Sequence, residues 1–141
     1  MHCHFQKFID SAHPLCIDAA LHSTSFTQFW QDVALQAAAI AQMENLTWAL
    51  WEADSYEFLV LLFAALLAEK QVLLPPNRVR ELEQDFAAQQ IYFLKRQDVE
   101  KVVPLSLILD DDFLEHAQLY FYTSGSTGEP KKIPRTLKQL L

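Results

Sequence analysis

Apolar positions along the chain fall into helical and strand-like spacings that alternate. Phe26, Phe29, Trp30, Val33, Ala37, Ile40 and Ala41 recur at intervals of three and four, the spacing that gathers side chains on one side of an α-helix. Ser25-Phe26-Thr27-Gln28 has the form of a capping box. The pattern therefore predicts a helix beginning after Ser25 with its stripe turned to the core. Asn45 breaks the stripe, and Leu46 to Trp51 reads as a strand. Asp54-Ser55-Tyr56-Glu57 predicts a second helix start, with an acidic residue in its first turn. The following run, Phe58 to Ala68, is apolar on nearly all sides and predicts a buried helix. Gln71 to Leu74 reads as a strand stopped by Pro75-Pro76, and Val79 to Gln89 as a helix. Short strands are predicted at Ile91–Leu94 and at Val102–Leu109, where Pro104 weakens the pattern. Leu119 to Tyr122 predicts another strand, and Pro134 to Leu141 the start of a helix. Residues 1 to 22 have no clear period and read as an irregular segment over part of the core.

This alternation argues for one α/β unit with a largely parallel sheet flanked by helices. Ligands of such sheets gather beyond the carboxyl ends of the strands. With 141 residues, 51% of them apolar, the chain has enough material for a packed core. A net charge of −7 argues against nucleic acid or an anionic membrane as a general partner, so any bound anion needs a local site. The longest apolar run is short of the ~20 residues that span a bilayer, and no transmembrane segment is expected. Met1 to Phe5 shows no basic region followed by an apolar stretch, as a signal peptide would. Two cysteines, Cys3 and Cys16, are too few for a disulfide framework and fit a reducing, cytoplasmic setting. His2, Cys3, His4, His13 and Cys16 do not match zinc-ligand spacings, so no metal site is assigned. Asp110-Asp111-Asp112 is read as a solvated turn or helix cap rather than a cation site, because consecutive carboxylates point in different directions.

Chemistry concentrates in one stretch. The chain has only two glycines, and both lie in Tyr122-Thr123-Ser124-Gly125-Ser126-Thr127-Gly128-Glu129-Pro130-Lys131. Glycine lets the backbone approach a ligand closely. Loop amides around Gly125 and Gly128 form a concave nest for anionic oxygens. The hydroxyls of Thr123, Ser124, Ser126 and Thr127 add donors, and Lys131 adds a point charge. A Walker loop is ruled out, since it needs glycines five apart and then Lys-Ser/Thr.

The stretch from Tyr122 to Lys131 closely resembles the phosphate-loop signature of the acyl-adenylate-forming, AMP-binding superfamily. That superfamily includes acyl-CoA synthetases, aryl-CoA ligases, adenylation domains of peptide synthetases and firefly luciferase. Ala53 to Phe58, the apolar helix, and Lys70 to Pro75 resemble its N-terminal region more weakly. The resemblance implies an ATP-dependent ligase. A carboxylate attacks the α-phosphorus of ATP, giving an acyl-adenylate and pyrophosphate. The acyl group then passes to the thiol of coenzyme A or of an acyl carrier protein's phosphopantetheine. It further implies that Thr123, Ser124, Gly125, Ser126, Thr127, Gly128 and Lys131 hold the β- and γ-phosphates. Lys131 would offset charge on the leaving pyrophosphate, and Mg2+ would bridge phosphate oxygens. The substrate would be a fatty or aromatic acid. Lys132 stands where the family commonly has glycine, and Pro134-Arg135-Thr136 where it often has Thr-His. These departures bear on the subfamily. Family members run to several hundred residues, so 1–141 is expected to be an N-terminal segment ending after the phosphate loop and inactive alone. The alternative is a truncated, non-catalytic phosphate-binding or interaction module.

Overall fold

A computed structural model of the chain describes residues 14–17, 23–106, 109–124 and 130–140. In chain order the elements begin with strands β1 (Pro14–Ile17) and β2 (Ser23–Ser25), then helix α1 (Phe26–Ala41), β3 (Thr47–Ala49) and α2 (Ser55–Leu67). They continue with β4 (Gln71–Leu74), α3 (Arg80–Ala88), β5 (Tyr92–Phe93), α4 (Asp111–His116), β6 (Gln118–Ser124), β7 (Pro130–Thr136) and α5 (Leu137–Leu140). β1 and β2 form a separate antiparallel pair. The expectation of an irregular segment over residues 1–22 is thus corrected at Pro14–Ile17, where the backbone of β2 supplies a partner.

The main sheet has five strands in the order β5-β3-β4-β6-β7. β3, β4, β5 and β6 run parallel, and β7 runs antiparallel to β6. Alternation along each strand separates two apolar layers. Trp48, Val72, Leu119 and half-buried Phe121 join Phe29, Trp30, Val60 and Leu61 of α1 and α2 on one face. Ala49, Leu73, Tyr120 and Tyr122 meet Phe86 of α3 on the other. α1 and α2 interlock through edge-to-face rings, Trp30–Phe63 at 5.3 Å and Phe29–Phe63 at 6.2 Å between centroids.

Both helix starts expected from the sequence are in place. Ser25 accepts from the Gln28 amide, and Asp54 from the Glu57 amide. Asp110 caps α4 by accepting from the Phe113 amide at 2.9 Å, as the cap reading of the acidic cluster required. Ala41, the last residue of the α1 stripe, is exposed.

Both α2 and α3 end in Schellman turns. Lys70 N–H donates to Ala65 O and Glu69 N–H to Leu66 O; Ile91 N–H donates to Phe86 O and Gln90 N–H to Ala87 O. Glu69 and Gln90, each at φ 60°, occupy the left-handed position that usually holds glycine.

Two expectations fail. The strand expected at Val102–Leu109 is irregular through Ser106, residues 107 and 108 lying outside the described set. Pro104 has no amide to offer a ladder, and the Leu105 amide is used on the Ala34 carbonyl of α1 (3.0 Å). The helix expected from Pro134 begins only at Leu137. Pro134 to Thr136 instead finish β7, because Ile133 pairs with Phe121 and Pro134 takes an edge position opposite Tyr120.

Candidate functional site

The Tyr122–Lys131 stretch is built on a β-hairpin, where a strand–loop–helix was expected. The register runs from Gln118↔Thr136 to Ser124↔Pro130. Gly125, Ser126, Thr127, Gly128 and Glu129, which connect the strands, lie outside the described residues. Thr123 and Ser124 are the last backbone positions of β6, and Lys131 is paired with Thr123. The structure thus brings the start and end of the expected phosphate loop together, at the carboxyl end of the last parallel strand.

Alternation along β7 sorts its cations. Lys131 and Arg135 share a face with Ile133, the partner of Phe121, on the α1/α2 side of the sheet. Lys132 belongs to the other face, where its Nζ sits 4.8 Å from the centroid of the Tyr120 ring. Lys131 is exposed, and its side chain makes no hydrogen bond or ion pair among the described residues. No cluster of three or more His, Cys, Asp or Glu suited to a metal ion occurs among the described residues.

A cleft of about 340 Å³ opens beside the hairpin, lined by Trp51, Glu52, Phe58, Pro75, Phe121 and Tyr122 among others. Its position follows from topology. The chain leaving β3 enters α2 on one face, and the chain leaving β4 enters α3 on the other. Connections that diverge from adjacent parallel strands leave a crevice at their carboxyl ends, where ligands of open α/β sheets bind. Sequence reasoning missed this cleft. The signal available was the pair of segments, Trp51-Glu52 and Pro75-Pro76, following two predicted parallel strands.

A polar network joins α1, the first turn of α2 and the segment after β5. The Tyr56 hydroxyl donates to Asp32 of α1, and Arg96 joins Glu57, with Asp32 3.5 Å from its other guanidinium nitrogen. Burial and then the hydrogen bond to Asp32 push the Tyr56 hydroxyl well above the ordinary tyrosine range. Nearby, Gln36 exchanges two hydrogen bonds with the Gln97 backbone: its Nε2 donates to Gln97 O at 2.9 Å, and its Oε1 accepts from Gln97 N at 2.8 Å. The exit of β5 is thereby tied to α1 and to the first turn of α2, next to Phe58. The Asp110–Asp112 cluster lies at the amino end of β6, away from the hairpin.

O-succinylbenzoate coenzyme A synthetase (MenE) from Bacillus subtilis, solved with AMP, superposes with a TM-score of 0.63 at 16% identity, over 94% of this chain and 41% of that one. What the two share is the fold of the matching part. MatB from Rhodopseudomonas palustris matches with a TM-score of 0.59 at 16% identity, over 96% of this chain and 34% of that protein. The N-terminal domain of FACL13 from Mycobacterium tuberculosis gives 0.56 at 16% identity, over 86% of this chain and 39% of that one. The chain thus spans well under half the length of these structures. No protein-family model matches it, and neither does any curated protein sequence. No helix among the described residues is long and apolar enough to cross a membrane.

Proposed function

We propose that this chain is the N-terminal part of an ATP-dependent ligase that activates a carboxylic acid as its acyl-adenylate and passes the acyl group to the thiol of coenzyme A or a carrier protein. One observation carries the reading. The two ends of the signature, Tyr122–Ser124 and Pro130–Lys131, lie on paired strands at the carboxyl end of a parallel strand, in a fold shared with a coenzyme A synthetase solved with AMP.

The chemistry assigned to this segment is electrostatic. Amides around Gly125 and Gly128, with the hydroxyls of Thr123, Ser124, Ser126 and Thr127, would donate to the β- and γ-phosphate oxygens. Lys131 would hold a positive charge where the departing pyrophosphate gains negative charge. Mg2+, when bound to the nucleotide, neutralises phosphate charge and orients the leaving group. In-line attack needs the carboxylate and the α-phosphorus held together, and nothing in residues 1–141 is assigned that task. The segment alone is therefore inactive on this reading.

The test is ATP–pyrophosphate exchange by the product of the complete reading frame, against a panel of fatty and aromatic acids. Exchange that depends on a particular acid supports a ligase and names its substrate. Tight nucleotide binding with no exchange for any acid would instead favour the non-catalytic phosphate-binding module.

A further inference from the structure

From Ala117 to Leu141 the sequence holds four cations, Lys131, Lys132, Arg135 and Lys138, against one acid, Glu129. That is a local charge of +3 in a chain whose total is −7, so the remaining residues together carry −10. The structure places Lys131, Lys132 and Arg135 on β7, the last strand of the order among the described residues, and Lys138 in α5. All four are exposed. Lys138 is paired with Glu115. Lys131, Lys132 and Arg135 have no carboxylate partner among the described residues, and Lys132 rests on the Tyr120 ring. Among the described residues, the cations without a carboxylate partner therefore begin at the hairpin end and run down β7.

The geometry points to β7 as an electrostatic guide that draws polyphosphate anions to the hairpin through an otherwise acidic surface, with Arg135 and Lys132 acting by their field and Lys131 by contact. This deepens the proposed function and rests on its placement of phosphate at the Tyr122–Lys131 hairpin. A strand rises ~3.4 Å per residue, which puts Arg135 ~14 Å along β7 from Lys131. That distance lies inside a Debye length at 0.01 M ionic strength (~30 Å) and outside one at 0.15 M (~8 Å). Arg135 should therefore matter to a multiply charged anion in dilute salt and hardly at all near physiological salt. A direct contact would matter in both.

The experiment is calorimetric titration of the full chain with inorganic triphosphate at ~0.01 M and ~0.15 M ionic strength. For a ligand carrying four to five charges, Coulomb attraction over ~14 Å in water with Debye screening gives about a fourfold weakening for Arg135→Gln at low salt and less than about 1.5-fold at high salt. Adding Lys132→Gln should deepen the low-salt loss, with urea midpoints confirming that the exposed substitutions leave the fold intact. Equal losses at both salts would make Arg135 a contact residue and overturn the guide. No loss at low salt, or no triphosphate binding by the unaltered chain, would overturn it as well. The ligase reading fails separately. Salt-dependent triphosphate binding through Arg135, with no pyrophosphate exchange by the complete protein for any acid, would leave the guide standing and refute the ligase.

Discussion

Replacing Gln36 by leucine tests the link between α1 and the exit of β5. Gln36 is 1% exposed and is the buried polar residue of the described core. Its amide satisfies both the N–H and the C=O of Gln97. Leucine has nearly the same volume, so little cavity forms, but both Gln97 groups lose their partner. A buried group left unsatisfied costs ~1–3 kcal/mol, and the half-buried Gln97 should sit at the low end, for a total of about 2 kcal/mol. In a chain of this size that lowers Tm by roughly 4–10 °C. Urea denaturation followed by tryptophan fluorescence suits the measurement, since Trp30 and Trp48 are buried. Gln36→Glu adds a pH signature. Ionised, it faces the Gln97 carbonyl with an acceptor; protonated, it restores both bonds. Its folded-state pKa is then raised, so its share of stability is present below about pH 4 and lost as pH rises through the folded value. A Gln36→Leu loss under about 0.5 kcal/mol, smaller than ordinary surface substitutions scatter, would show that these bonds do not hold the segment. So would a Gln36→Glu deficit that does not change with pH.

Lys131→Ala should slow pyrophosphate exchange by the complete enzyme roughly a hundredfold, the usual loss for one donor to developing charge, while thioester formation from preformed adenylate changes less. Lys132→Ala, on the opposite face of β7, should do less in both assays. Equal losses for Lys131→Ala in the two assays would mean that it is structural. Glu69→Gly and Gln90→Gly should each stabilise the chain by about 0.5–1 kcal/mol in urea, because each relieves a left-handed non-glycine residue; destabilisation by either would contradict the cap geometry. Tyr56→Phe should cost about 1–2 kcal/mol at neutral pH through the lost bond to Asp32. The raised Tyr56 pKa means that the unfolded chain ionises first, so this share of stability holds below pH 10 and falls as pH rises beyond it. Titration from pH 8 to 11 should show a flatter decline for Tyr56→Phe than for the unaltered chain.

The parts legible in the sequence are those whose causes are local. Ser25 and Asp54 cap helices within their own first turns, and the stripe from Phe29 to Ile40 needs only one helix to be visible. β4 was legible because Pro75 stops it. β7 was not. Its alternation is masked by Lys131-Lys132 and by Pro134, and only pairing with β6 makes it a strand. The run from Val102 misled for the opposite reason, since its apolar residues carry no sign that the stretch through Ser106 stays outside the sheet. The Gln36–Gln97 and Glu57–Arg96 contacts join residues 61 and 39 apart, which no periodicity encodes. Of the candidate site, the stretch stood out because the chain has two glycines and puts both there, between Ser124 and Pro130, while the residues joining those two lie outside the described set. The cleft beside it did not, since it exists only where β3, β4 and β6 end side by side.

The prolines of β7 have a consequence for how molecules of this chain meet one another. A sheet edge seven residues long is a template on which a second chain can grow a strand. Pro130 and Pro134 are four apart, so both fall on the same alternate set of backbone positions. For the pairing with β6 to keep its donors, that set must be the outward one. Each proline thus deletes an N–H from the row that an incoming strand would need, and Lys132, the position between them, adds charge. The edge that carries Lys131 and Lys132 is at the same time a poor seed for aggregation.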